Sequence, residues 1–247
     1  MDFPTIDPNH GCDGYDKPIH ICIYKTFKDL QLFQDFVEDD RVDVNTRDSD
    51  GKTALHKVVE NIATLEPLLD ILLSRKDVDL NERDADGIAP FTKVLSTGYG
   101  KSAALKFLEL PSAALDISAK DGNGTNALAL ACLRGWPAVS RQLQRRDRSQ
   151  AFTSADDGMN ALTRAAFFGQ KTMLEALLHD STPEDVRRLA NLGRFDLVNL
   201  CAQQDWEDMV TLLQNRFHLT GLEQDNRGRT ILHWAVSSGW AYGHSYL

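Results

Sequence analysis

One stretch, Asp50-Gly51-Lys52-Thr53-Ala54-Leu55-His56, limits what this chain can become, because its grammar returns along nearly the whole length. It comes back almost intact as Asn226-Arg227-Gly228-Arg229-Thr230-Ile231-Leu232-His233. Between the two copies, anchoring glycines fall at Gly51, Gly87, Gly124, Gly158, Gly193 and Gly228, in steps of 36, 37, 34, 35 and 35 residues. A fixed period in the thirties belongs to units too small to bury their own apolar faces, which become stable by stacking on neighbours.

Each unit has the same internal order. An acidic or amide residue (Asp50, Asp86, Asn123, Asp157) precedes the glycine, a pairing suited to a turn with positive φ. Thr53 and Thr230, or Asn126 and Asn160, follow as N-caps of a first helix, and Pro18 and Pro90 sit where a first helical turn tolerates a missing N–H. Small residues recur beyond them (Val58 and Val59, Ala131 and Cys132, Ala165 and Ala166, Ala235 and Val236) and permit close helix approach. Gly98, Gly135, Gly169 and Gly239 are placed to end that helix in a left-handed cap. A second helix is predicted around Leu72 and Leu73, Phe107 and Leu108, Leu177 and Leu178, and Leu212 and Leu213. Extended segments such as Val42-Asp43-Val44-Asn45 and Val78-Asp79-Leu80-Asn81 then lead to the next turn.

Thr53-Ala54-Leu55-His56, Thr230-Ile231-Leu232-His233 and the two Val-Asp segments together resemble the ankyrin-repeat family, whose units of about 33 residues carry Thr-Pro-Leu-His-x-Ala. The resemblance covers about residues 15 to 247, with six clear units and a degenerate first one in which Tyr15 stands at the glycine position and His20 at the histidine position. It implies an all-α, ankyrin-like α-solenoid of about seven helix-turn-helix repeats with short hairpin loops, preceded by an N-terminal arm over 1 to 14. It also implies that His56 and His233 hydrogen-bond one repeat's loop to the next. Two departures stand out. The Gly193 unit has lost Thr and His, and 181 to 192 reads as a Thr182-capped helix in place of a hairpin. The last unit stops nineteen residues after Gly228, so the end is uncapped, the chain is a piece of something longer, or 241 to 247 folds back as a cap.

Little in the sequence specifies catalysis. His10-x-Cys12 and His20-x-Cys22 have a zinc-like spacing, but His20 and Cys22 occupy the repeat's histidine and small-residue positions, so a structural role is preferred. Asp48 with Asp50 and Asp84 with Asp86 read as solvated turn residues before they read as metal ligands. A phosphate loop, a Gly-x-Ser-x-Gly elbow and a His-Glu-x-x-His pair are all missing. The expectation is therefore a non-catalytic protein–protein interaction module without cofactor or metal, or the recognition arm of a larger signalling or enzymatic protein.

A net charge of -9 disfavours nucleic acid as a general partner, and no apolar run approaches the roughly 20 residues that cross a bilayer. Four scattered cysteines and an acidic amino terminus without a signal peptide favour the cytosol or nucleus, and the chain is expected to be monomeric. The candidate partner-binding residues are Arg83, Asp84, Asp86, Lys120, Asp121, Asn123, Asp156, Asp157 and Asn226 at the turn tips, with Tyr99, Trp136 and Trp240 behind them. Those three rings, with Trp206 one step out of register, form either a ladder for a partner or a cover over the groove between helices. A run of arginines, Arg141, Arg145, Arg146 and Arg148, with Arg187 and Arg188 beyond, either attracts an acidic partner segment or is a solvated face.

Overall fold

The glycine turns come first in the structural logic, because each reverses the chain so that a helix can start. In the computed structural model, which describes residues 9, 17–25, 30–179, 181–191, 196–220 and 228, Gly51, Gly87, Gly124, Gly158 and Gly228 all have φ between 70° and 80°. A side chain at Gly51 would place its Cβ 2.9 Å from the backbone nitrogen of Ala85, so conformation and space both call for glycine there.

The described residues form thirteen α-helices and no strand. They fall into two compact units, Met1–Gly122 and Asn123–Leu247. The first unit holds α1 (Pro18–Lys25), α2 (Leu30–Glu38), α3 (Ala54–Glu60), α4 (Ile62–Ser74), α5 (Pro90–Ser96) and α6 (Lys101–Glu109). Its helices pair as α1 with α2, α3 with α4 and α5 with α6, and they also form two rows, α1-α3-α5 and α2-α4-α6. The second unit holds α7 (Ala127–Arg134), α8 (Pro137–Arg146), a 3-10 turn (Arg148–Phe152), α9 (Ala161–Phe167), α10 (Lys171–His179), α11 (Pro183–Asn191), α12 (Leu197–Gln203) and α13 (Glu207–Phe217). Here α7, α9 and α12 make one row, α8 packs on α10, and α11 lies against α9 and α13. None of these helices is long and apolar enough to cross a membrane.

Why these helices form is visible in their caps and buried faces. Asn126 Oδ1 accepts from Ala129 N–H at 2.8 Å, and Asn160 Oδ1 from Thr163 N–H at 3.0 Å, so each satisfies an orphan donor of a first turn. Thr182 Oγ1 accepts from Asp185 N–H at 3.2 Å, and the expected capped helix stands where a hairpin would otherwise lie. Phe91 of α5 and Phe107 of α6 meet with ring centroids 5.7 Å apart and are fully buried, each contributing about 1.5–3 kcal/mol of apolar burial. Phe33 and Val37 do the same for α2.

Among the described residues, which leave out Gly239, the helix ends differ from the expectation in one place. Gly135 and Gly169 take the left-handed conformation at φ 66° and 72°, as the spacing predicts. Gly98 does not share it: α5 stops at Ser96 with Thr97 extended, and the connection to α6 runs through Gly100.

Candidate protein-binding surface

Beneath the turn tips lies a lattice of side-chain to backbone bonds repeated at nearly constant separation. His20 Nε2 bonds the Lys52 carbonyl at 2.9 Å and His56 Nε2 the Ile88 carbonyl at 3.0 Å, each 32 residues ahead. Because His56 Nδ1 accepts from the Thr53 N–H at 3.2 Å, the proton must sit on Nε2, which donates. Burial holds His56 below its ordinary pKa of 6.5, which keeps the ring neutral for that pattern. The inter-loop role that the resemblance implies is thus present for His20 and His56, while His233 lies outside the described residues.

The second unit reaches the same end by different chemistry. Asn126 Nδ2 donates to the Gln150 carbonyl at 2.7 Å, and Asn160 Nδ2 to the Leu189 carbonyl at 2.8 Å. One asparagine therefore caps the helix and ties down the following segment, where the first unit uses a threonine with a histidine. A third set was not foreseen. Asn9, Asn45 and Asn81, 36 residues apart, each clamp the next loop with both ends of the amide. Asn45 Nδ2 donates to the Asp77 carbonyl at 2.7 Å and its Oδ1 accepts from Asp79 N–H at 2.8 Å; Asn81 treats Ala114 and Asp116 likewise. Asn9 does so with Arg41 and Asp43, so this residue of the expected arm is tied to the first loop.

The Asp-x-Asp turns resolve into two roles. Asp48 Oδ1 accepts from Asp50 and Lys52 N–H, and Asp84 Oδ1 from Asp86 and Ile88 N–H at 3.1 and 2.8 Å. Asp84 is only 5% exposed, so this candidate is corrected: it is a turn brace, because its carboxylate is turned inward onto two amides. Burial alone would raise the Asp48 pKa, but the Lys57 ammonium at 2.5 Å and the turn amides outweigh it and hold the carboxyl low. Among the described residues no three His, Cys, Asp or Glu side chains gather as a metal site would need.

The remaining tip candidates are exposed, with qualifications. Arg83 and Asp86 face solvent, Arg83 donating to the Gly87 carbonyl at 3.0 Å and lying 3.7 Å from Asp116. Lys120 is exposed and Asp121 half-buried in the same unit. In the second unit Asn123, Asp156 and Asp157 are exposed, though Asp157 pairs with Arg164 at 2.8 Å. Neighbouring tips are in register, since Ala85 N–H donates to the Asp50 carbonyl at 3.0 Å and Asp156 N–H to the Asn123 carbonyl at 3.2 Å. Asn226 and Trp240 lie outside the described residues.

The ring ladder does not survive as drawn. Trp136 is 6% exposed and Tyr99 80% exposed, so the two rings do not share one environment. Trp136 directly precedes α8 at φ -106°, ψ 79°, and Trp206 directly precedes α13 at φ -92°, ψ 72°. These two are equivalent, and Tyr99 is the displaced one, because the longer connection after α5 puts Gly100 at the cap and turns the tyrosine outward. Trp136 is accordingly a buried ring, unlike the exposed Tyr99, and does not face solvent as a partner contact would.

No protein-family model matches this sequence, and no curated protein matches it.

Proposed function

We propose that this chain is an ankyrin-like α-solenoid of about seven helix-turn-helix repeats, and that it acts as a non-catalytic module binding a protein partner through its turn tips. The observation that carries this reading is the braced tip: a positive-φ glycine, an inward aspartate (Asp48 or Asp84) bonded to two turn amides and an exposed residue beside it, found in two successive turns 36 residues apart. Rigid backbone beneath and varied side chains above are what recognition spread over several units requires. Arg83, Asp86, Tyr99, Lys120, Asn123 and Asp156 are the contacts this reading favours, all exposed. Affinity rests on the ring and the arginine, while the tip charges set on-rate and specificity. Free cysteines, with Cys132 and Cys201 buried, support a reducing compartment such as the cytosol or nucleus.

The test is affinity capture on the whole chain from its native host, comparing wild type with an Arg83→Glu/Tyr99→Ala variant of unchanged circular dichroism. A partner held by the wild type and lost by the variant supports the reading. Identical capture by both sinks it.

A further inference from the structure

The arginine run that the sequence leaves open acquires a shape in the second unit. Arg141 and Arg145 on the last turns of α8, and Arg148 at the start of the 3-10 turn, line one side of a cleft of about 290 Å³. Ala151 and Phe152 of the turn and Leu189 of α11 supply its apolar lining. Arg188 lies over the Phe152 ring, 4.4 Å from its centroid, which adds a fourth guanidinium beside the cleft. Arg148 is oriented by Asp185 at 2.7 Å, and Arg141 and Arg145 make no ion pair with any described residue. Cations therefore outnumber the acids at this spot, on a chain whose net charge is -9.

A cleft at a similar place in the first unit carries fewer cations. Counting 71 residues back, Leu73, Ser74 and Leu80 stand where Gln144, Arg145 and Ala151 stand here, and that cleft is also lined by Val78, Leu110 and Ala114 and by the charged Arg75, Lys76 and Asp79. Its Arg75 is committed to the carbonyls of Val37 and Asp39 at 2.5 and 3.2 Å and to Asp77. The cleft of the first unit thus joins apolar side chains to Arg75, Lys76 and Asp79, where that of the second presents Arg141, Arg145 and Arg148 and no acid in its lining.

We propose that the cleft between the end of α8 and α11 is a docking site for an acidic, amphipathic segment of a protein partner. The segment's carboxylates meet Arg141, Arg145 and Arg148, and an apolar side chain lies against Phe152 and Leu189. The guanidinium fork suits a carboxylate in bidentate fashion, and the volume, near the low end of the roughly 300–1,000 Å³ usual for ligand pockets, suits a side chain or two of a peptide. An acidic chain repels acidic segments elsewhere on its surface, so the cleft also fixes where such a segment lands. The proposal rests on the preceding reading in one respect, that the ligand is a polypeptide.

The probe is a fluorescein-labelled peptide in which glutamate alternates with leucine, titrated with the whole chain and followed by anisotropy. Saturable binding that weakens as salt rises past physiological strength is expected, with Arg141→Glu/Arg145→Glu weakening it about tenfold or more and Phe152→Ala several-fold. Both arginines are exposed, so unchanged circular dichroism is expected of the double variant. Absence of saturable binding, or binding untouched by the double variant, overturns the proposal. So does equal, arginine-dependent binding of an oligouridylate, which would make the cleft a reader of phosphate density. Tyr99→Ala and Arg83→Glu are expected to leave peptide binding alone. If those variants abolish partner capture while the peptide ignores the cleft, the cleft fails and the tip reading stands; the converse result reverses that judgement.

Discussion

Asn160→Asp separates the two jobs assigned to one amide. By capping logic alone the change is harmless, since aspartate is as good an N-cap as asparagine and its charge suits a helix N-terminus. The geometry says otherwise. Asn160 is 0% exposed, its Oδ1 accepts from Thr163 N–H at 3.0 Å, and its Nδ2 donates to the Leu189 carbonyl at 2.8 Å. The substitution places a second acceptor against that carbonyl. If the introduced carboxyl stays ionised, a buried charge faces a carbonyl and the Leu189 oxygen loses its donor, a loss of about 1–3 kcal/mol for the oxygen alone. If it protonates to donate, holding the proton at pH 7 against an ordinary value near 3.9 costs at most about 4 kcal/mol, three pH units at about 1.36 kcal/mol each. The expected loss at pH 7 is therefore about 2–4 kcal/mol. Its pH dependence follows from a folded-state pKa raised above the unfolded one: the variant approaches wild type at low pH, near 4, and falls behind as pH rises through the folded value. Urea unfolding followed by circular dichroism at pH 4.5 and 7, each variant midpoint set against wild type at the same pH, reads this directly. Wild-type stability at pH 7, or a deficit independent of pH, would refute the donor role of Asn160.

Three further outcomes are expected. Gly51→Ala destabilises by more than Gly87→Ala: both incur about 1–2 kcal/mol for the left-handed backbone, but a Cβ at Gly51 also meets the Ala85 backbone at 2.9 Å, whereas nothing lies within 4 Å at Gly87; equal melting temperatures would contradict this. The Cys132 and Cys201 thiols, pushed up to about 12 by burial, react with a thiol reagent at pH 8 only as the chain unfolds, and rapid native-state labelling of either would show the burial to be wrong. His56 has its pKa lowered by burial, so the stability its neutral ring supplies is complete above about pH 6.5 and is lost as pH falls through the lower folded value; His56→Gln flattens that part of the profile, and an unaltered slope in urea midpoints from pH 8 to 5 would exclude the assignment.

What the sequence disclosed and what it hid follow from the range of the interactions. Caps act within one turn, so Asn126, Asn160 and Thr182 could be read locally, and the glycine period survives any change in side chains between anchors. The amide clamps of Asn45 and Asn81 reach partners 32 to 35 residues away and look like ordinary turn formers; their signal was the 36-residue spacing from Asn9, visible only in hindsight of the partner loops. The rings misled because counting from the glycine assumes equal helix lengths. The extra connection before Gly100 broke that count at Tyr99, while Trp206, one step out of register by that count, is the structural equivalent of Trp136.

The same contrast bears on function. Asp84 and Asp86 are two residues apart, yet one carboxylate is turned inward onto the Asp86 and Ile88 amides while the other is in solvent. Substituting the inner one strands two partly buried amides, a loss of at most about 1–3 kcal/mol per group, whereas an exposed charge away from such contacts usually changes stability by no more than about 0.5 kcal/mol. At the Gly51 and Gly87 turns stability is therefore concentrated at Asp48 and Asp84, whereas the exposed Asp50 and Asp86 can be exchanged without threatening the fold. On the proposed reading, exposed tip residues such as Asp86, Asn123 and Asp156 are the ones that meet a partner, because exchanging them costs the fold little.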